Sequence, residues 1–288
     1  MMMIKEINKA SEELMQEIRQ LETICKKHDN LREDIFWDSS LNFNPDIKSL
    51  FLLYDDNKLI SVLFMFIPTS DEAEISGFTR PEYRKMGYFK SLLERAVNEL
   101  KKYNVSDILF TCEAQSSDGK AAIKKLNADY DFAEYTLRYN NLHTDYSNKY
   151  LNKVELHKAK REDSKILINI SQQIFHDSYE NAESMVIKAF ECQFRQLYIV
   201  VLDGEAIGKG GISFEDEGAY IFGFGIIPKY QGKGFGKASL QLMLKELTEQ
   251  KIDKIVIEVD SKNERAFNLY KKCGFEVQTS YEYFRKGV

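Results

Sequence analysis

A chain of 288 residues is long enough for two domains of ordinary size, each burying its own core. Apolar residues make up 43% and charged residues 30%, the balance of a globular chain and not of a disordered one. Lys+Arg number 40 against 45 Asp+Glu, and the formal net charge of −5 excludes a broad basic face for nucleic acid.

In chain order, residues 1–10 lack a basic segment followed by an apolar stretch, so no signal peptide is read. Leu50–Tyr54 and Leu59–Ile67 read as strands around the turn Asp55-Asp56-Asn57. Leu59–Ile67 is the longest apolar run. It falls far short of the ~18–20 residues that span a bilayer, so a cytoplasmic protein with no membrane partner is expected. Phe89, Leu92, Leu93, Ala96, Val97 and Leu100 then form one helical apolar stripe. Glu134–Asn140 reads as a strand closing the first unit. A polar segment, residues 144–152, follows as a tether, giving units 1–147 and 148–288.

The second half repeats the order. Leu197–Leu202, Ala206–Phe214 and Ala219–Ile227 read as strands, with a hairpin turn at Asp203-Gly204 and an acidic turn at residues 215–218. Ile255–Val259 alternates as a further strand, and Ser280–Arg285 is expected to close the second unit. Four cysteines without a CxxC pair and four histidines never at i,i+4 give no metal motif and no disulfide framework.

The parallel between the halves goes beyond order. Pro81–Phe89 aligns with Pro228–Gly236, and Asp56–Ile60 with Asp203–Ile207, all at a constant shift of 147. The chain reads as two copies of one unit.

Residues 229–237 hold three glycines (Gly232, Gly234, Gly236) and three lysines (Lys229, Lys233, Lys237) between a strand and a helix. Unpaired N–H groups at a helix start, approached closely over glycine and flanked by cations, suit a phosphate or pyrophosphate. The spacing G-x-G-x-G is not the dinucleotide fingerprint, and Ala238 stands where a Walker A loop needs Ser or Thr. A kinase loop would need downstream motifs that are missing. A glycine-rich turn with no ligand is the plain alternative.

Gln231-Gly232-Lys233-Gly234-Phe235-Gly236 resembles the Gln/Arg-x-x-Gly-x-Gly/Ala motif of the GNAT superfamily of N-acetyltransferases. About 30 residues on, Asn263 to Phe275 is similar to that family's Asn-x-x-Ala-x-x-Leu-Tyr-x-x-x-Gly-Phe motif. The resemblance implies an α/β (α+β) fold of two tandem units, each a mixed, mostly antiparallel central sheet flanked by helices. It also implies acetyl-CoA as cosubstrate, with Gln231, Gly232, Lys233, Gly234, Phe235, Gly236, Lys237 and Ala238 around its pyrophosphate. Asn263 would touch the pantetheine arm; as a plain reading it is an N-cap, and both can hold together.

Acetyl transfer to an amine needs a neutral amine, a place for charge on the carbonyl oxygen and a proton for the leaving thiolate. By the resemblance Tyr270 is the general acid, against the alternative of a core tyrosine beside Phe267 and Phe275. Glu258 is the candidate base, its pKa raised if it lies buried among apolar groups; a solvated strand carboxylate is the plain reading. Glu215, Asp216 and Glu217 are other possible bases. By the same resemblance, backbone N–H groups near Ile226 and Ile227 would serve the oxyanion and the pantetheine.

The first unit keeps Arg84 and Gly87 but has Phe89 at the small position, with Ser116 and Ile123 opposite Asn263 and Tyr270. It reads as a degenerate copy, with catalysis in residues 148–288. The expected function is acetyl-CoA-dependent transfer to a primary amine on a small molecule or protein N-terminus, by a monomer or homodimer with no metal. A non-catalytic acyl-CoA-binding or sensing module is the alternative. Aminoacyl transfer from charged tRNA is less compatible with the net charge.

Overall fold

The computed structural model describes residues 2–35, 37–140, 150–215 and 218–288. Two compact units divide the chain: Met1–Ala133 with Thr279–Val288, and Glu134–Gln278. In the first, β1 (Met2–Ile7), β2 (Leu50–Asp55), β3 (Lys58–Phe66), β4 (Glu72–Thr79) and β5 (Asp107–Glu113) lie in that order. All pair antiparallel except β4 with β5, which is parallel. Helices α1 (Glu12–Asp29), α2 (Tyr88–Lys102) and α3 (Ser117–Lys125) complete it.

In the second unit β7 (Val154–Lys158), β8 (Arg195–Leu202), β9 (Glu205–Glu215), β10 (Gly218–Ile226) and β11 (Ile255–Asp260) follow the same plan. Again only β10 and β11 are parallel. Its helices are α4 (Ser164–Phe175), α5 (Tyr179–Glu191), α6 (Phe235–Glu249) and α7 (Glu264–Lys272).

The closing strands differ from expectation. The sequence expects Glu134–Asn140 to close the first unit, yet in β6 (Asp129–Tyr139) Glu134–Arg138 pair antiparallel with β11 of the second. β12 (Phe275–Gly287) does the reverse, its residues Tyr281–Gly287 pairing antiparallel with β5 of the first. The last strand of each half is thus exchanged. Alternation along a strand says that it has a partner, not which one, so the two closers are interchangeable by pattern.

The continuous apolar runs are explained by helices on both faces. In the first unit Phe51, Leu53, Leu63 and Met65 meet α2 through Leu92, Leu93, Ala96 and Leu100. Leu50, Leu52, Val62 and Phe64 meet α1 through Ile18, Leu21 and Cys25. In the second, Leu240, Met243, Leu244 and Leu247 of α6 fall at i, i+3, i+4 and i+7 and cover Ile212, Ile221, Ile255 and Ile257. Each such side chain contributes about 1.5–3 kcal/mol on burial. Opposite them, α4 and α5 cover Leu197 and Ile199.

Two features of β10 shape the region that follows. Its pairing with β11 runs only from Ala219↔Ile255 to Ile221↔Ile257, so beyond that point β10 and β11 are unpaired with each other. Between Phe222 and Gly225 the register with β9 shifts, setting Gly223 and Phe224 against the single residue Gly210. Gly223 there has φ +54°. The first unit has no such shift between β3 and β4.

Candidate active site

Pro228 starts a 3₁₀ turn, Pro228–Tyr230, because it cannot extend the ladder beyond β10. The loop then reaches α6 through Gly232 and Gly234, at φ +73° and +94°, a region that glycine enters at no steric cost. No side chain caps α6 and its first turn has no acid. α1, α3, α5 and α7 are capped by Ser11, Ser116, Ser178 and Asn263, whereas α2 and α4 share the missing cap. The first bond of α6 runs from the Ala238 N–H to the Gly234 carbonyl (3.2 Å), so Phe235 and Gly236 present N–H groups without a helical acceptor. A Cβ on Gly232 would meet nothing within 4 Å, and one on Gly236 only Leu269 at 3.4 Å and Ile226 at 3.7 Å. This open, uncapped, cation-flanked end fits an anionic ligand.

Several predicted residues serve the loop from within. The Gln231 side chain donates from Nε2 to the Ile226 carbonyl (2.7 Å), tying the loop to the end of β10. Lys233 donates to the Lys229 carbonyl (3.0 Å), and Lys229 is drawn to Glu205 (3.3 Å). The aromatic side chain of Phe235 is buried, 4.8 Å from the Tyr150 ring. Ala238 lies deeper than the loop residues before it. Its side chain lies in the core and its N–H closes the helix, so it supports the loop from beneath.

Ile227 corrects the expectation, since its N–H donates to the Ile207 carbonyl (2.9 Å). That bond sets the phase of the ladder. Ile226, opposite Gly208, is then a non-hydrogen-bonded pair with β9, and its N–H points toward the unpaired edge. Of the two, Ile226 alone keeps a donor on that side.

Tyr270 sits on α7, 6% exposed, with its ring 6.0 Å from Phe275. Burial pushes its pKa up to about 12, with a smaller push from Cys273 and no hydrogen bond contributing. Asn263 is the N-cap of α7, its Oδ1 accepting from the Ala266 N–H (3.1 Å).

Glu258 lies on the other face of the sheet from Ile257 and Val259, which pack with Tyr270. It is half-buried and hydrogen-bonded through both oxygens. Tyr220 donates to Oε2 (2.8 Å) and Thr136 to Oε1 (3.3 Å). The Tyr220 phenol is raised well above its ordinary pKa by burial first and then by Glu258, with Tyr270 also acting on it. Glu258 and Tyr220 lie on one face of the sheet beside the point where β10 and β11 part, and Tyr270 lies with the core on the other face. Asp216 and Glu217 lie outside the described residues.

The sequence reading missed Thr136, Tyr220 and the buried Lys209. Thr136 belongs to the exchanged strand, so no motif spacing reaches it. Lys209 had a signal: a lone charge inside the apolar run Ala206–Phe214.

The first unit repeats the scaffold with different residues at the corresponding positions. Arg84 Nε donates to the Thr79 carbonyl (3.0 Å), matching Gln231 and Ile226 at the shift of 147. Ser116 caps α3 as Asn263 caps α7. Yet the Arg84 guanidinium is held by Asp29 (2.6 and 2.8 Å) and Asp118 (2.9 Å). Burial would raise the Asp29 carboxyl, but hydrogen bonds from Arg84 and His28 hold it below its usual range. A Cβ on Gly77 would stand 3.0 Å from the Phe89 ring, so the side chain replacing Gly236 fills space against β4. Thr111 and Ile123 stand at the positions of Glu258 and Tyr270. Calorimetry with acetyl-CoA is accordingly expected to give one site per chain, and R84A to leave that stoichiometry unchanged; two sites would contradict the contrast.

The acetyltransferase (GNAT) family model matches residues 12–125 and again 165–275. The chain belongs to this family. A GCN5-related N-acetyltransferase from Sphaerobacter thermophilus superposes with a TM-score of 0.78 at 14% identity, over 99% of this chain and 95% of that one. A tandem GNAT protein from the clavulanic acid biosynthesis pathway gives 0.72 at 13% identity, over 99% and 98%. These establish the fold: two tandem GNAT units, each a mixed, mostly antiparallel sheet flanked by helices. A ribosomal protein bS18-alanine N-acetyltransferase of Haemophilus influenzae is 39% identical over 69 residues, 24% of this GNAT chain and 47% of that relative's length. No helix among the described residues is long and apolar enough to cross a membrane. Among them no cluster of three His, Cys, Asp or Glu is placed to hold a metal ion.

Proposed function

We propose that the chain is an acetyl-CoA-dependent N-acetyltransferase that acetylates a primary amine, with its chemistry in the unit Glu134–Gln278. What supports this is the open loop at Gly232–Gly236 beside α7, where Leu269 lies 3.4 Å from the place of a Cβ on Gly236, together with the protonated phenol of the adjacent Tyr270. Acetyl-CoA supplies an acetyl group on a thioester, from which the amine displaces a thiolate.

The residues divide the work by face. N–H groups of Phe235 and Gly236, with Lys233 and Lys237, hold the pyrophosphate. Ile226 N–H at the unpaired edge pairs with the pantetheine as an added strand would, and Asn263 offers its amide N–H to the same arm. From the α6–α7 face Tyr270 donates a hydrogen bond to the departing sulfur. From the opposite face Glu258, held by Tyr220 and Thr136, takes the proton that the ammonium must lose, directly or through a water. The first unit acts as a scaffold, its loop cation spent on Asp29 and Asp118.

A panel of amines assayed for thiol release from acetyl-CoA tests the reading. Turnover with at least one amine supports it. Calorimetric heat with acetyl-CoA but no release for any amine would leave a binding module.

A further inference from the structure

Lys209 on β9 is only 7% exposed. Its Nζ donates to Ser171 Oγ of α4 (3.2 Å), and that hydroxyl donates on to Asp177 (3.3 Å). The ring of Phe175 is 5.8 Å away. Among the described residues no carboxylate lies within the 4.0 Å of an ion pair. A buried ammonium with one hydroxyl for company is costly unless something else completes its shell. Burial pushes its pKa down to about 8, against the opposing pull of Asp177, so at neutral pH the charge is still mostly present.

Its place in the sheet is fixed by register. Lys209 stands opposite Ile199 on one side and Gly225 on the other, hence on the face of α4, the face that carries Phe222, Tyr220 and Glu258. Its Cε lies 3.9 Å from where a Cβ on Gly223 would be. The stem therefore passes along the bulge, where β10 has left β11 and Gly223 is exposed.

We infer that Lys209, backed by Ser171, is the subsite for a carboxylate carried by the amine acceptor. The inference rests on the N-acetyltransferase reading and names its substrate class: amino acids or short peptides with a free carboxylate, not simple amines or polyamines. A monoanion matches the single ammonium, which Ser171 orients by accepting from Nζ while its own proton goes to Asp177. Asp177 repels any anion there, and a phosphate dianion twice as strongly as a carboxylate.

The test uses calorimetry with the product side of the reaction, so it does not depend on turnover. N-acetylated amino acids and dipeptides are each compared with their carboxamides on the whole protein, beside K209M and K209R. The carboxylate members are expected to bind roughly 10- to 100-fold more tightly than the amides, as a charge-assisted hydrogen bond implies. K209M should erase the preference and K209R retain most of it. Equal binding of acid and amide, no binding of either, or a preference that survives K209M would overturn the subsite. Failure of the enzyme reading looks different: no heat with acetyl-CoA and no thiol release from any amine.

Discussion

Tyr270→Phe is expected to lower kcat by roughly 10²-fold, the magnitude of a lost general acid, with little change in calorimetric affinity for acetyl-CoA. The substitution removes one oxygen from a ring that packs against Phe275, so the core cluster around α7 keeps its volume. What disappears is the donor. A phenol whose pKa burial has raised to about 12 keeps its proton at any physiological pH. Full transfer to a thiolate of ordinary pKa, about 8.5, is uphill for such a group, so its contribution is a hydrogen bond that strengthens as the sulfur gains charge. A pH consequence follows in sign as well as size. Tyr270 produces no alkaline limb in kcat between pH 7 and 10, because it does not ionise there. Equal kcat in the two proteins would remove Tyr270 from the chemistry.

Gly234→Glu is expected to abolish measurable acetyl-CoA binding, a loss above 100-fold. Three effects act together. Gly234 has φ +94°, where an L side chain is strained, and its Cβ would stand 3.2 Å from the Tyr150 ring. A carboxylate would also occupy the helix end where the pyrophosphate is proposed to sit. Gly232→Glu separates charge from crowding, since a Cβ at Gly232 meets nothing within 4 Å. Thermal unfolding of both variants distinguishes a damaged site from a damaged fold. Retained affinity in a folded G232E protein would place the cofactor elsewhere.

The repeat, the glycine loop and the Asn263–Phe275 segment were legible because their chemistry is local. A left-handed turn favours glycine, a helix start favours a cap or an anion, and both leave marks at fixed spacing. Asn263 shows how far this reaches, as it is the cap its position implied, and the structure adds Ser116 as the matching cap of α3. What the sequence could not carry is pairing across distance. Alternation in residues 134–140 is the same whether they meet β5 or β11, so the exchanged closers were assigned to the wrong units. For the same reason Thr136, which reaches Glu258 only through that exchange, could not be found. The Ile227 N–H failed for a smaller cause, since one bond to Ile207 decides which residues face the open edge.

The exchanged strands also bear on how the protein is made. The unit translated first cannot finish folding on its own: β5 waits for Tyr281–Gly287, residues added only after nearly all of the second half has been synthesised. Until then β5 keeps an edge with unsatisfied amides and carbonyls, the kind of surface that recruits stray strands. Damage near residue 285 would therefore be felt beside α2 and α3, not around Tyr270. The order of translation and the order of completion run opposite to each other.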